Sequence, residues 1–98
     1  MSYRVAFRPE AAADVRAAYQ WYERRRSGLG TEFEAALDGD LALLRELPTA
    51  FPLVYRELRK LLLRRFPYAV YYAVEADVVR IRGVLHVRQH PRRWRRRA

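Results

Sequence analysis

Apolar and polar positions alternate at the start of the chain. Tyr3, Val5 and Phe7 fall on one side, the period-two pattern of a strand. Pro9 then suits the first turn of a helix, and Glu10 lies where the helix dipole favours a carboxylate. To about Arg26 the period lengthens: Val15, Ala18, Tyr19 and Tyr22 share one helical face, and Asp14, Arg16, Glu23 and Arg24 lie largely elsewhere. Ser27-Gly28-Leu29-Gly30 interrupts the pattern, with Gly28 suited to a left-handed cap. Thr31 and Glu34 have capping-box spacing, which predicts Thr31 as the cap of a second helix. Phe33, Leu37, Leu41, Leu44 and Leu47 recur every three or four residues along it, Asp38 and Asp40 fall on its outer side, and Pro48 stops it. Two helices joined by a short glycine loop predict an antiparallel helical hairpin.

From Phe51 the period returns to two. Pro52 opens a strand at about 53–56, and 60–65 reads as another. Tyr68, Val70, Tyr72 and Val74 share one face of the next, Glu75-Ala76-Asp77 is a tight turn, and 78–87 is the last. Alternation puts Val79, Ile81, Gly83 and Leu85 on one face of that last strand and Arg80, Arg82, His86 and Arg88 on the other. The order, written β-α-α-β-β-β, predicts an α+β fold with the hairpin packed on a largely antiparallel sheet.

The length, 98 residues, holds one domain, read as 1–91 with a basic tail at 92–98. It leaves no room for a Rossmann unit with a partner domain or a barrel enzyme. No apolar run approaches the ~18–20 residues of a membrane span, and the first residues do not read as a secretory signal. There are no cysteines, which excludes disulfides, thiolate catalysis and cysteine-based zinc sites and fits a reducing cytoplasm.

Charge changes the picture most. The formal net charge is +9, and of twenty Lys and Arg residues only Lys60 is a lysine. No acid follows Asp77, yet Arg80, Arg82, Arg88, Arg92, Arg93, Arg95, Arg96 and Arg97 do. A domain so charged suits a polyanion or an acidic protein, and the arginine run at the end reads as a solvated arm.

Enzyme motifs are sparse. The chain has no glycine-rich phosphate loop, no HExxH and no GxSxG, and its two serines, Ser2 and Ser27, sit in no nucleophile motif. His86 and His90 lack nearby carboxylates, so no metal or other cofactor is expected. Arg64, Arg65, Arg80, Arg82, His86 and Arg88, continued by Arg92, Arg93 and Trp94, are either a solvated face or a surface for a phosphodiester backbone. His86 is a candidate general acid or base, because imidazole titrates near neutrality. Trp21 lies off the apolar stripe of its helix, and either caps the hairpin edge or anchors a partner.

An ordered set of residues carries a resemblance. Phe7-x-Pro9-x-Ala11, Trp21-Tyr22-Glu23, Gly28-Leu29-Gly30 with Phe33, and Pro48 with Phe51-Pro52 come first. Arg65-Phe66-Pro67-Tyr68-x-Val70-x-Tyr72 and Val84-x-His86-x-Arg88, with Pro91 and Trp94, complete it. Over nearly its whole length the chain resembles the RelE/ParE superfamily of type II toxin–antitoxin toxins, in its ParE-like or plasmid-stabilization branch. The resemblance implies a β-α-α-β-β-β toxin that arrests growth when free and is neutralised by a cognate antitoxin.

RelE-like members are ribosome-dependent mRNA endonucleases, and ParE-like members inhibit DNA gyrase. Set against the RelE-type catalytic residues, Lys60 and Arg88 match basic positions, Leu62 and Ala69 replace a lysine and an arginine, and Trp94 stands where a tyrosine is usual. Losing one positioned donor at such a site costs on the order of 100–1000-fold in rate. The resemblance therefore favours gyrase binding without chemistry over metal-free RNA cleavage. As a ribonuclease the chain would use His86, Arg88, Arg65 and Lys60. As a gyrase inhibitor it would present Arg64, Arg65, His86, Arg88, Arg92, Arg93 and Trp94. An acidic antitoxin is expected to touch Tyr19, Trp21, Leu29 and Phe51, and no membrane partner is expected.

Overall fold

The computed structural model describes residues 2–98. The elements are β1 (Arg4–Phe7), α1 (Pro9–Arg25), α2 (Leu29–Glu46), β2 (Leu53–Tyr55), β3 (Leu58–Leu62), β4 (Tyr68–Glu75), β5 (Val78–His86) and a short α3 (Pro91–Arg95). One five-stranded sheet runs in the order β1-β5-β4-β3-β2. β1 is parallel to β5 and the other neighbours are antiparallel, the α+β architecture that the periodicities predict. Four strands follow the hairpin, one more than β-α-α-β-β-β counts. Leu53–Tyr55 folds back on β3 through Arg56 at φ 52° and Glu57, so β3 begins at Leu58 rather than at residue 60.

The helical hairpin is closed differently from the capping-box spacing. The N-cap of α2 is Gly28, at φ 90°, three residues before Thr31. Glu23 of α1 supplies the acceptors: Oε2 takes the Gly28 N–H at 2.8 Å and Oε1 the Gly30 N–H at 2.9 Å. A carboxylate delivered by the adjacent helix satisfies the orphan donors and meets the positive end of the dipole, so the Thr31 hydroxyl is not needed. Gly30 permits the helices to touch: a Cβ there would stand 2.7 Å from the Tyr19 carbonyl oxygen.

The main core lies between the hairpin and the sheet. Tyr22, Phe33, Leu37, Leu41 and Leu44 from the helices meet Val70, Tyr72, Val79, Ile81 and Val84 from β4 and β5. Phe66 packs edge-on against Tyr22 at 4.9 Å and Phe33 at 5.4 Å. The Tyr72 hydroxyl donates to the Pro48 carbonyl at 2.6 Å, tying the end of α2 to the sheet. Asp40 is only 5% exposed, contrary to its expected outward position. It follows Phe33 by seven residues and Leu37 by three, which places it on the buried stripe, with Arg64 3.7 Å away.

A bulge in β5 reassigns its faces. Tyr71 pairs with Gly83 but Tyr72 pairs with Ile81, so Arg82 is an extra residue. Simple alternation fails there. Val79, Ile81 and Val84 face the helices, and Leu85 joins Leu58, Ala69 and Tyr71 on the opposite face. His86 pairs with Tyr68 and so lies on the helix side, away from Arg80.

Candidate functional site

On the face away from the hairpin, Leu58, Ala69, Tyr71 and Leu85 form a second apolar cluster, against which Val54, Trp94 and Ala98 pack. Trp94 of α3 stacks on Tyr71, with centroids 5.2 Å apart and planes 9° from parallel, and meets Tyr55 edge-on at 6.5 Å. Burial pushes the Tyr71 hydroxyl up to about 12, so it stays protonated near neutrality. The expected free tail is thus a packed cover, and the division at residue 91 does not follow the packing. The physical reason is β4, whose apolar residues on both faces need a layer on each side.

Arginine 97 fastens this cover. Its guanidinium donates to Asp14 of α1 at 2.8 and 3.2 Å and to the Arg82 carbonyl at 2.9 Å. Asp14 also accepts the Val84 N–H at 3.0 Å. These bonds cap the edge of β5 beyond Ile81, where β1 has ended.

The bulged Arg82, expected on a face that is either solvated or open to a phosphodiester backbone, is buried instead. It donates to Glu57 at 2.7 Å, to Glu75 at 3.0 Å and to the Arg97 carbonyl at 3.2 Å, and its Nε has no protein partner. Burial opposes its charge, but hydrogen bonds to the two carboxylates outweigh this and hold its pKa above the ordinary arginine value. The same hydrogen bonds hold Glu57 and Glu75 below the usual carboxylate range. Arg80, 3.6 Å from Glu75, belongs to the same network.

On the helix side, Ala17, Trp21, Tyr22, Pro67, Tyr68 and His86 line a cleft of about 640 Å³. Trp21, 44% exposed, packs edge-on against Tyr22 at 5.1 Å, and the Arg25 guanidinium sits 4.1 Å from its ring centroid. The imidazole of His86 lies 5.3 Å from the Tyr68 ring, and its Nδ1 accepts the Arg88 N–H at 3.0 Å, which leaves Nε2 to carry the proton of the neutral ring. Burial raises the pKa of Tyr22 and of Tyr68, so neither phenol serves as a base near neutrality.

The sequence-predicted residues are therefore divided among three places. Lys60, opposite Tyr71, and Leu62, opposite Ala69, lie on the α3 side, as does Trp94. His86 faces the helix side. Arg64 and Arg65 lie in the β3–β4 connection, paired with Asp40 at 3.7 Å and Glu32 at 3.3 Å. Arg88, Arg92 and Arg93 are exposed. Of the four expected antitoxin contacts only Trp21 is exposed; Tyr19, Leu29 and Phe51 are half-buried, the last two against the main core. Sequence reasoning misses Asp14, Glu57 and Glu75, and misses Arg97 as a clasp. Two signals point there: the unbroken apolar run of β4, and Gly83, where a Cβ would come 3.0 Å from Arg97 Nη1. Among the described residues no cluster of His, Asp or Glu is placed to hold a metal ion, and no helix is long and apolar enough to cross a membrane.

Comparison with known proteins bears on the fold and on the family separately. No curated protein matches the chain. A chain of the chromosomal ParDE TA system from P. aeruginosa superimposes with a TM-score of 0.78 at 18% identity, covering 87% of this chain and 96% of that one, which is a likeness of fold. Residues 5–91 match the family described as ParE toxin of type II toxin-antitoxin system, parDE, a match that spans the hairpin, all of the sheet but Arg4, and the start of α3. The chain thus belongs to the ParE toxin family of type II toxin–antitoxin systems.

Proposed function

We propose that this toxin arrests growth in the cytoplasm by binding DNA gyrase, without chemistry of its own, and that an acidic antitoxin neutralises it. One observation carries the preference for binding over RNA cleavage. On the sheet face that bears Lys60, Trp94 on Tyr71 covers the cluster that includes Ala69, one of the two positions where a cation is replaced, and the other, Leu62, presents an exposed apolar side chain. His86 lies across the sheet from Lys60. A metal-free ribonuclease needs its cations gathered around one phosphate, whereas an inhibitor that only binds can use a distributed surface. Arg64, Arg65, His86, Arg88, Arg92 and Arg93 are that surface. For the antitoxin, the net charge of +9 supports an acidic partner, and exposed Trp21 beside the aromatic cleft supports an amphipathic helix laid on the hairpin.

The test pairs two assays on antitoxin-free protein. Inhibition of gyrase supercoiling with trapped cleaved DNA is the expected result, and Arg64→Ala, Arg65→Ala, His86→Ala and Arg88→Ala each lower potency by degrees. Primer extension on translated mRNA is expected to show no new ends. Codon-positioned cuts with gyrase untouched would overturn the proposal and make His86 and Arg88 catalytic candidates.

A further inference from the structure

Three of the arginines after Asp77 have internal partners: Arg80 with Glu75, Arg82 with Glu57 and Glu75, and Arg97 with Asp14. The other five, Arg88, Arg92, Arg93, Arg95 and Arg96, are exposed and form no ion pair among the described residues. Four of them stand on α3 and its C-cap. At about 100° per residue, Arg92 and Arg96 stand opposite Trp94 and Arg93 and Arg95 flank it, and the Arg95 guanidinium lies 5.5 Å from the Trp94 ring centroid and 5.6 Å from that of Tyr55, exposed but held at the edge of the cover. A helix this short does not hold itself. It is held by Trp94 on Tyr71 and by Arg97 on Asp14, so these arginines are mounted on the sheet rather than on a loose arm.

We infer that this ridge binds the sugar-phosphate backbone of duplex DNA without sequence preference. Guanidinium groups meet phosphate oxygens bidentately, and four or five fixed in place lose less entropy on binding than they would on a free tail. The composition of the ridge selects the class of partner. A protein interface is anchored by desolvated aromatic or aliphatic groups, but the one aromatic side chain of α3, Trp94, is turned inward. Leu62, exposed on the α3 side of β3, and Val87, exposed just past β5, belong to the sheet and its end and not to the ridge. A single-strand site stacks bases on aromatic rings, but Trp94 already stacks on Tyr71. A polar, strongly positive surface is what a duplex backbone takes. The inference goes beyond the gyrase reading, because the contact needs no gyrase.

The experiment measures anisotropy of a labelled duplex of about 30 bp with the full chain, from about 50 to 200 mM salt, and no gyrase present. Four or five phosphates neutralised predict a fall in affinity on the order of 100- to 500-fold over that range, equal for unrelated sequences. The double variant Arg92→Gln/Arg93→Gln is expected to lower the salt slope by about two, with an unchanged melting temperature. Arg95→Gln/Arg96→Gln is expected to do the same, so that misfolding of one variant does not decide the matter. Three results would overturn the inference: no binding at the low-salt end, a salt slope that both variants leave intact, or tighter binding of an equal-length single strand or a polyglutamate peptide than of the duplex.

Discussion

The two faces of the sheet are covered by unequal means. On one side, two helices of 17 and 18 residues bury a continuous core, closed by the aromatic group of Tyr22, Phe33, Phe66 and Tyr68. On the other, a helix of five residues rests on Tyr71 by one ring and is clasped by one arginine. The first face gets its stability from area. The second gets it from a few directional contacts, and this frees the outer surface of its cover to be almost wholly arginine. The difference separates a region that makes the fold from one whose exposed side is left for a partner.

The contrast is tested most strongly by removing one aromatic from each face. Phe33→Ala opens a cavity in the fully buried cluster and is expected to cost about 3–5 kcal/mol. At roughly 4–8 °C per kcal/mol for a domain of this size, that lowers the melting temperature by roughly 12–40 °C. Trp94→Ala, from a half-buried site, is expected to cost less, about 2 kcal/mol. Thermal unfolding followed by circular dichroism separates the two. An unchanged melting temperature for Trp94→Ala would mean that the small helix is not a structural cover.

Next in size is the clasp. Asp14→Ala removes the Arg97 pair and leaves the Val84 N–H without its acceptor, at an expected cost of about 1–3 kcal/mol. Arg97→Met is expected to cost less, because Asp14 keeps the Val84 N–H. A double-mutant cycle reads the coupling, and a value near zero would show that the two act independently.

Acid weakens the α3 side through Glu57 and Glu75. Both have pKa values lowered in the folded protein by hydrogen bonds from Arg82. The stability they contribute is present above the unfolded carboxylate value and is lost as pH falls through their folded values. Because both carboxylates are partly solvated, the change is expected to be small. Urea midpoints taken below the ordinary glutamate range should fall less steeply with pH in Glu57→Gln/Glu75→Gln than in the unaltered chain.

What could be read from the sequence follows the same division. The helix-side core was legible because Val15 to Tyr22, Phe33 to Leu47 and Tyr68 to Val74 carry clean periods. The α3 side was not, because one tryptophan among arginines has the pattern of a solvated arm, although β4 lacks the polar alternation of a half-exposed strand. Strict alternation also carried Leu85 and His86 to the wrong faces. The bulge at Arg82 breaks the count, and Gly83 within the strand was its only local sign. Asp40 was misplaced by a different route: its charge outweighed its position on the apolar stripe of α2.

The smallest effect lies in the β4–β5 turn, between the two faces, and serves as a control that touches neither. Glu75 pairs with Val78, so Ala76 and Asp77 alone make the loop, and Ala76 is held at φ 55°. An L-residue in the left-handed region brings its Cβ close to the neighbouring carbonyl, at about 1–2 kcal/mol. Glycine removes that strain, but gives the unfolded chain more freedom to lose, about 0.4–1 kcal/mol in the opposite direction. Ala76→Gly is therefore expected to stabilise the protein by about 0.5 kcal/mol, the difference of those two effects. Neither cover contacts are removed nor charges changed, so duplex affinity and gyrase inhibition should stay as they are while the melting temperature rises by a few degrees, roughly 2–4 °C. A fall in melting temperature would mean that the Ala76 methyl contributes more to the turn than its backbone conformation costs.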